Sequence, residues 1–322
     1  MSLKKVAFLV GGLLCHVVRG AESHYGELAA VLKDNMEALG SIITQHSIEK
    51  KEIFPRENTR PFEICGNLAY AHEHGKRYTS DDAIAFLGID FSYNNFIFKR
   101  ICTAGVFTGI IKDFMDYHGH SLKKGDLRMW FGGYYSTFRL WGLDISSVSV
   151  IGFGQSKAHG EALTLHGGHF DHFTHHHRTL YSKVEVYYPW QWNDLKIGPA
   201  FALHTNNMKQ KGAKEWEQAS LRMNLVDGAV GVKCEKDHQK LYAYVFLGCE
   251  RNFCQNFTGG EITIDHVEEK LTTSKLDRTK FLITTGIHFR CSESCFWNFN
   301  FSGRYGSRSQ SSTLCAALNK VF

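Results

Sequence analysis

Histidine is the residue type in this 322-residue chain whose spacing most clearly suggests chemistry. Imidazole nitrogens at high density can ligate Zn²⁺ or a related metal, and a nearby carboxylate can add an oxygen ligand. Here the spacing fixes no tetrahedral geometry, so a polar surface connection that becomes more cationic below about pH 6.5 is the competing interpretation. We assign no metal site to this stretch, which contains His166, His169, Asp171, His172, His175, His176 and His177.

Cysteine is the second residue type with chemical potential, and the chain has nine. Cys291 and Cys295 flank a predicted tight turn and could form a disulfide across it. Cys249 and Cys254 bracket the start of a predicted long connection. Disulfides form in oxidising compartments, so a local bridge and free thiols that act as small apolar residues both stay open.

Catalytic motifs are weak. No histidine is followed two positions later by serine, as a nucleophile and its base on one strand face would require, and no glycine-rich phosphate loop is present. One predicted connection has a composition that suits proteolysis but fixes no geometry: Asp113, Asp116, Tyr117, His118 and His120. The net charge of +5 is scattered, which argues against nucleic acid as a partner. We therefore predict no enzyme activity, no cofactor and no nucleic-acid binding.

Strands are the elements that would position these residues. Over 279–305 one phase of the chain is apolar and largely aromatic, while the other phase carries asparagine, serine, arginine and histidine. A period of two predicts strands, and a sheet with these two faces fits a barrel that lies in lipid around a wet interior. The apolar phase consists of Phe281, Ile283, Ile287, Phe289, Cys295, Trp297, Phe299, Phe301 and Tyr305.

The composition agrees with such a barrel. Apolar residues make up 43% of the chain and aromatics 13%, with a mean hydropathy of −0.26. No run approaches the roughly 18 apolar residues of a membrane helix. Thirty glycines and four prolines suit many strands and tight turns.

The two-faced pattern recurs in twelve candidate strands, each about 9–14 residues long, as a tilted membrane strand requires. An all-β, antiparallel, closed transmembrane barrel is therefore predicted, in which the first and last strands pair because hydrocarbon cannot satisfy an open edge. An apolar phase shift near Asp227 and Gly228 indicates a bulge in that strand. The candidates lie near 63–71, 82–94, 101–111, 126–138, 143–154, 178–190, 194–205, 219–233, 240–252, 279–290, 295–305 and 312–322.

The predicted connections alternate between short and long, which is typical of outer-membrane barrels with short periplasmic turns. Short connections are expected near 95–100, 139–142, 191–193, 234–239 and 291–294. Long ones are expected near 72–81, 112–125, 155–177, 206–218, 253–278 and 306–311.

Two segments precede the predicted barrel, which spans 61–322. Residues 1–21 have the charged start, apolar run and small residues of a signal peptide. Residues 22–60 contain helical apolar spacing before Pro55, where a helix should end. The segment is expected to be a vestigial passenger or a linker, and its helix is expected outside the barrel, in its pore or free of it.

Glycine and aromatic positions then occur in a specific order: Gly88-Ile89-Asp90, Gly105 to Gly109, Gly132-Gly133-Tyr134-Tyr135, Ser149 to Gly154, and the terminal Phe322. With a helix before twelve strands, this order resembles the C-terminal β-domain of autotransporters (type V secretion). Within that group it is most similar to the polymorphic outer membrane proteins of chlamydiae. The resemblance covers about residues 24–322.

This resemblance implies a translocation pore and membrane anchor in the bacterial outer membrane, in contact with its lipid. It implies that the helix occupies the pore and that the outer-membrane assembly machinery reads Phe322. It also suggests disulfide cross-links to other envelope proteins. The chain departs from the family by leaving little or no room for a passenger, and by placing Lys320 where an apolar residue is usual; a lysine there can snorkel. The alternatives are a surface adhesin, a porin-like channel with long extracellular loops and, less expected, a soluble all-β binding domain.

Overall fold

The fold is known from a computed structural model. It describes residues 32–44, 62–75, 78–95, 100–118, 122–163, 169–211, 221–238, 240–259, 261–264, 267–270, 278–292, 294–306 and 310–322. The predicted signal peptide over 1–21 lies outside the described residues, as do residues 45–61.

Twelve long antiparallel strands form a closed barrel, as the sequence predicts. The first and last strands pair from Cys65↔Val321 to Gly75↔Ser311, and β6 pairs with β8, so the ring of twelve barrel strands has no open edge. The barrel strands are β1 Phe62–Gly75, β2 Tyr78–Asn95, β3 Arg100–Tyr117, β4 Leu122–Leu140, β5 Leu143–Leu163, β6 His169–Tyr187, β8 Leu195–Lys211, β9 Leu221–His238, β10 Leu241–Gly259, β13 Thr279–Ser292, β14 Cys295–Tyr305 and β15 Gln310–Val321.

Three short strands lie outside the barrel ring. The strand β7 (Trp190–Trp192) pairs with the start of β8, and β11 (Glu261–Ile264) pairs with β12 (Val267–Lys270) in a separate sheet. The turn between β4 and β5 has positive φ at both Trp141 and Gly142, which is the geometry that a tight hairpin requires.

The outer surface of the barrel is apolar. Trp130 is 70% exposed and Leu68 64%, and the aromatic phase of the last predicted hairpins also points outward. Phe289 is 45% exposed and Phe299 50%, whereas His288, the residue before Phe289, is fully buried. A globular sheet would bury this aromatic phase, so the exposure confirms the predicted two-faced arrangement.

The strands extend further than predicted at the end opposite the tight turns. The predicted connection over 155–177 is mostly strand, because β5 reaches Leu163 and β6 begins at His169, and most of 72–81 and 112–125 is also strand. The period-two signal disappears there because the outward face becomes polar while the backbone pairing continues. This polar outer belt contains His72, Asp81, Lys112, Arg128, Gln155, Arg178, Lys209 and Arg251.

The predicted bulge lies one strand away from its expected position. Asp227 pairs with Asn252 and Val226 pairs with Cys254, so the extra residue is Phe253 in β10, while β9 pairs without interruption. A side chain at Gly228 would overlap the ring of Phe253. The phase shift in β9 therefore reflects packing against the bulge of its neighbour.

A single described helix, α1 (residues 32–44), lies inside the barrel. Leu32, Met36 and Leu39 are fully buried, and so are the charged residues Lys33 and Glu37, at 4% and 2% exposure. Burial on all sides places the helix in the lumen, which resolves the choice that the sequence leaves open. Within the described residues, no helix combines the length and hydropathy needed to span a membrane.

Candidate functional site: the helix-filled lumen

The helix has a defined direction in the lumen. Near its start, Asp34 accepts a hydrogen bond from the hydroxyl of Tyr78, the first residue of β2, at the end where the strands extend furthest. Near its end, Thr44 lines a cavity with Tyr242 and His288, close to the tight turns. The chain therefore runs through the lumen from the extended end toward the tight-turn end.

One side of α1 packs on apolar side chains of the barrel. Met36, Leu39 and Ile43 recur at helical spacing and are fully buried in one apolar cluster. Each such side chain contributes about 1.5–3 kcal/mol by leaving water. The facing residues, which we call the apolar wall, are Ala69, Ala71, Ile84, Phe86, Phe107, Ile111, Met129, Phe131, Tyr135, Val148 and Val150 on β1–β5.

A glycine sets how closely the helix approaches β6. A side chain at Gly40 would overlap the ring of Tyr181, which is itself 2% exposed and packed in the apolar cluster. The ring is enclosed and cannot simply swing away. The absence of a side chain at Gly40 therefore permits the helix to pack directly against Tyr181 on β6.

The opposite side of α1 carries charge, and the barrel opposite it carries complementary charge. Glu37 Oε2 lies 2.8 Å from Nη2 of Arg304, and Nε of Arg304 donates to Oε2 of Glu250 at 3.2 Å. Lys33 Nζ lies 3.2 Å from Glu37 Oε1, one helical turn away. We call His204, Asp227, Glu250 and Arg304, on β8, β9, β10 and β14, the charged wall.

The extended end of the lumen is acidic. Glu73, Asp82 and Asp113 are at most 1% exposed, and none of them takes part in an ion pair within the described part of the chain. The amide of Asn35 donates to Oδ2 of Asp113 at 3.0 Å, and Ser80 donates to Glu73 at 3.5 Å. Neutral donors from the helix and wall thus stabilise this end of the lumen.

The tight-turn end of the lumen holds a cavity of about 80 Å³, lined by both charged and aromatic side chains. Lys233 Nζ lies 2.8 Å from Glu235 and 3.4 Å from Glu185, and Glu185 also pairs with Lys183 at 3.0 Å. This volume has room for a few water molecules. The lumen beside α1 therefore combines buried ion pairs with space for water, as expected of a pore interior.

The structure places the predicted terminal residue at the closure of the barrel. The backbone N–H of Phe322 donates to the carbonyl of Ile64 at 3.0 Å, and its side chain is 65% exposed. The ammonium of Lys320 lies 5.3 Å from the centre of that ring. Phe322 is thus available on the outer surface, and its role as an assembly signal stays a prediction.

The predicted disulfide partners are free thiols in the structure. Cys291 is the extra residue at a register shift, because Arg290 pairs with Phe296 and Ser292 pairs with Cys295. Cys249 and Cys254 are also free. The bridge across the turn therefore stays a prediction.

The histidine-rich stretch is divided between two faces of β6. His175 and His177 point into the lumen and are buried, whereas His176 points outward. Nε2 of His177 lies 2.6 Å from Oγ of Ser156. The side chains of His166, His169 and His172 lie outside the described residues, so a metal site there stays untested.

The proteolytic composition does not converge in the part of the chain that the structure describes. Asp113 is buried in the lumen, whereas Asp116 and His118 are exposed, with Asp116 on the outer face of β3.

Sequence reasoning missed the charged wall and its partner Glu37. The alternation places His204, Asp227 and Glu250 on inward phases, which is the available signal. The alternation does not tell which inward residues lie at the same position along the barrel axis, because that depends on the strand register across β8, β9 and β10.

Comparison with known proteins supports the architecture. No protein-family model matches the chain, and no curated protein matches its sequence. Solved structures do match in fold. The translocator domain of the autotransporter NalP from Neisseria meningitidis is 12% identical, with a TM-score of 0.65 over 93% of this chain and 99% of that one.

Two further autotransporter domains are similar. The β-domain of the Bordetella autotransporter BrkA is 11% identical, with a TM-score of 0.57 over 82% of this chain and 100% of that one. The transport unit of AIDA-I from Escherichia coli is 11% identical, with a TM-score of 0.52 over 88% and 98%. This chain therefore has the fold of an autotransporter translocator domain.

Proposed function

We propose that the protein is an outer-membrane β-barrel of autotransporter type, which serves as a translocation pore and membrane anchor. The observation that carries the proposal is the helix that runs through a closed twelve-stranded barrel from its extended end to its tight-turn end. A translocated segment would leave its linker in this position, because the chain ahead of the helix would have passed outward through the pore.

The apolar outer face of the barrel and its polar lumen support bacterial outer-membrane localisation. An outward apolar surface requires hydrocarbon around it, and a closed barrel leaves no unpaired backbone groups in that hydrocarbon. The tight turns would then face the periplasm and the extended strands the exterior. Outer-membrane lipid and the assembly machinery that reads Phe322 are the expected partners.

A topology experiment tests the proposal. An epitope inserted between residues 22 and 31 should be accessible to antibody and protease on intact cells. The matched control is the same epitope in the tight turn at Trp141–Gly142, which should become accessible only after the outer membrane is opened. Surface exposure of the control instead, or recovery of the protein as a soluble monomer, would overturn the proposal.

Passenger transport needs its own experiment. A small domain fused ahead of residue 32 should appear on the cell surface if the pore supports export. If the epitope reaches the surface but no fused domain does, the barrel is an anchor and not a secretion pore.

Narrower kinship with the chlamydial polymorphic proteins is also part of the proposal. The motif residues pack on one another: a side chain at Gly105 would overlap the ring of Tyr135, one at Gly133 would approach the ring of Phe107, and Tyr135 donates to Asp90. Homologues in which Asp90 and Tyr135 vary independently of Gly105 would argue against this kinship.

Cross-links through Cys291 or Cys295 to other envelope proteins would appear as reducible high-mass bands, and their absence from envelopes would exclude them.

A further inference from the structure

We propose that the lumen contains a binding site for a divalent metal ion, of which Zn²⁺ is the best fit, that fastens the helix to the charged wall. The ligands are Glu37 from α1 and His204, Asp227 and Glu250 from three adjacent strands. The proposal goes beyond the function proposed above, because it concerns how the helix is held in the pore.

The imidazole of His204 lies at the centre of the arrangement. Its Nε2 atom is 3.4 Å from Asp227 Oδ2, 3.6 Å from Glu37 Oε1 and 3.6 Å from Glu250 Oε2. The side chain is 5% exposed, and Nε2 has no hydrogen-bond partner among the described residues. A buried imidazole nitrogen that faces three carboxylate oxygens is a chemically suitable metal ligand.

The three separations from Nε2 have the length of the edges of a tetrahedral zinc site. Ligand atoms 3.4–3.6 Å apart at the corners of a regular tetrahedron stand about 2.1–2.2 Å from its centre, which is the usual distance of nitrogen and carboxylate oxygen from Zn²⁺. The candidate atoms of Glu37, His204 and Asp227 all lie within 4.8 Å of one another. These three residues form the core of the site, and the carboxylate of Glu250, which Arg304 holds at 3.2 Å, would turn toward them as the fourth ligand.

Strand register and outer contacts orient the ligands. His204 pairs directly with Asp227 across β8 and β9. The amide of Asn252 donates to Oδ1 of Asp227 at 2.6 Å, which leaves Oδ2 toward His204. Arg304 likewise holds Glu37 Oε2 at 2.8 Å, so that the other oxygen, Oε1, faces His204 at 3.6 Å. Such supporting contacts are typical of metal sites.

Lys33 is the competitor for this position. Its Nζ lies 3.2 Å from Glu37 Oε1 and 4.0 Å from Asp227 Oδ2, so the ammonium partly neutralises the same oxygens. A bound metal ion would displace it, and Asp34 next to it in the helix offers another anionic partner. Removal of the Lys33 ammonium should therefore strengthen metal binding.

The test uses the full chain refolded in lipid and titrated with Co²⁺, whose absorption reports tetrahedral coordination, and then with Zn²⁺ as competitor. The folded wild type should show a tetrahedral Co²⁺ band that saturates at one equivalent and disappears on adding Zn²⁺. Glu37→Gln and His204→Gln should each abolish the band, and Asn252→Leu should weaken Co²⁺ binding about tenfold or more. His288→Gln removes another buried lumen histidine and should keep the band.

Lys33→Met separates a metal site from an ordinary ion-pair network. Removal of the competing ammonium should tighten Co²⁺ binding, and metal should then slow amide exchange in residues 33–44. The proposal would be overturned if neither wild type nor Lys33→Met showed a tetrahedral band, or if the band survived Glu37→Gln. The cluster would then be an ion-pair network only. Because Glu37 lies on the helix, its variant leaves the barrel intact. Metal binding is measured independently of surface export, so the failure of one proposal does not imply failure of the other.

Discussion

The two halves of the lumen wall hold the same helix by different physical means. The apolar wall on β1–β5 contacts Met36, Leu39 and Ile43 through shape and burial. The charged wall meets Lys33 and Glu37 through ion pairs at 2.8–4.0 Å. Apolar burial is non-directional and tolerates sliding, whereas buried ion pairs are costly unless each group meets its partner.

Together, the two walls hold the helix at one position in the lumen. The apolar wall supplies attraction that persists over small displacements, and the charged wall fixes one depth. A helix held only by the first would slide, and one held only by the second would lose most of its burial energy. Four substitutions test whether the two walls act in these different ways.

The largest effect is expected on the apolar wall. Leu39→Asp removes about 1.5–3 kcal/mol of burial and places a charge without a partner in an apolar site, which costs several kcal/mol more. The helix should leave the lumen, and single-channel conductance in a planar bilayer should rise severalfold. Leu39→Met is the matched control and should conduct like wild type. A fully folded Leu39→Asp barrel with wild-type conductance would mean that the apolar wall does not seat the helix.

The next effect concerns the charged wall. Arg304→Gln removes the cation that Glu37 and Glu250 share and leaves Glu37 with Lys33 alone. Breaking such a buried pair costs about 3–5 kcal/mol. Amide exchange of residues 33–44 should accelerate strongly while the strands stay protected. Arg139→Gln is the control, because Arg139 pairs with Asp144 at 3.4 Å, is 35% exposed and lies away from the helix. If both variants accelerate exchange equally, the charged wall has no special role.

An intermediate effect is expected where the two walls meet. Gly40→Ala should push the helix from Tyr181, at a cost of about 1–3 kcal/mol from overpacking, and should increase protease cleavage within the helix. Ser41→Ala changes the next residue, which lines the cavity, and should leave cleavage unchanged. Restoration of protection by Tyr181→Leu in the Gly40→Ala background would identify the clash as the cause; no restoration would refute it.

The smallest effect is expected at the end of the helix. Thr44 donates to the carbonyl of Gly40 at 2.7 Å, and Thr44→Val should cost about 0.5–1.5 kcal/mol. Amide exchange should rise only in the last helical turn. Thr285→Val removes a similar bond, from Thr285 to the carbonyl of Tyr244 at 3.0 Å, in the barrel wall. Faster exchange throughout α1 in either variant would contradict the view that both walls hold the helix.

The barrel was largely predictable from the sequence, whereas the site was not. Phe289 and Trp297 alternate with His288 and Asn298, and this period decides which face each side chain takes. The extra length of β5 and β6 was missed because both faces are polar there, so that no period remains. The sequence predicts the bulge in β9, but it lies in β10. The phase shift in β9 arises because Gly228 leaves space for the ring of Phe253, the bulged residue of β10.

By itself, the sequence determined an all-β chain with twelve two-faced strands and an amphipathic helix ahead of them, since periods of two and 3.6 are local properties of the backbone. Only the tertiary structure decided that the helix lies in the lumen and that Glu37 meets His204, Asp227, Glu250 and Arg304. Those residues are far apart in the chain. The height at which strands β8 to β14 align them depends on the register of the whole closed barrel, which no local pattern contains.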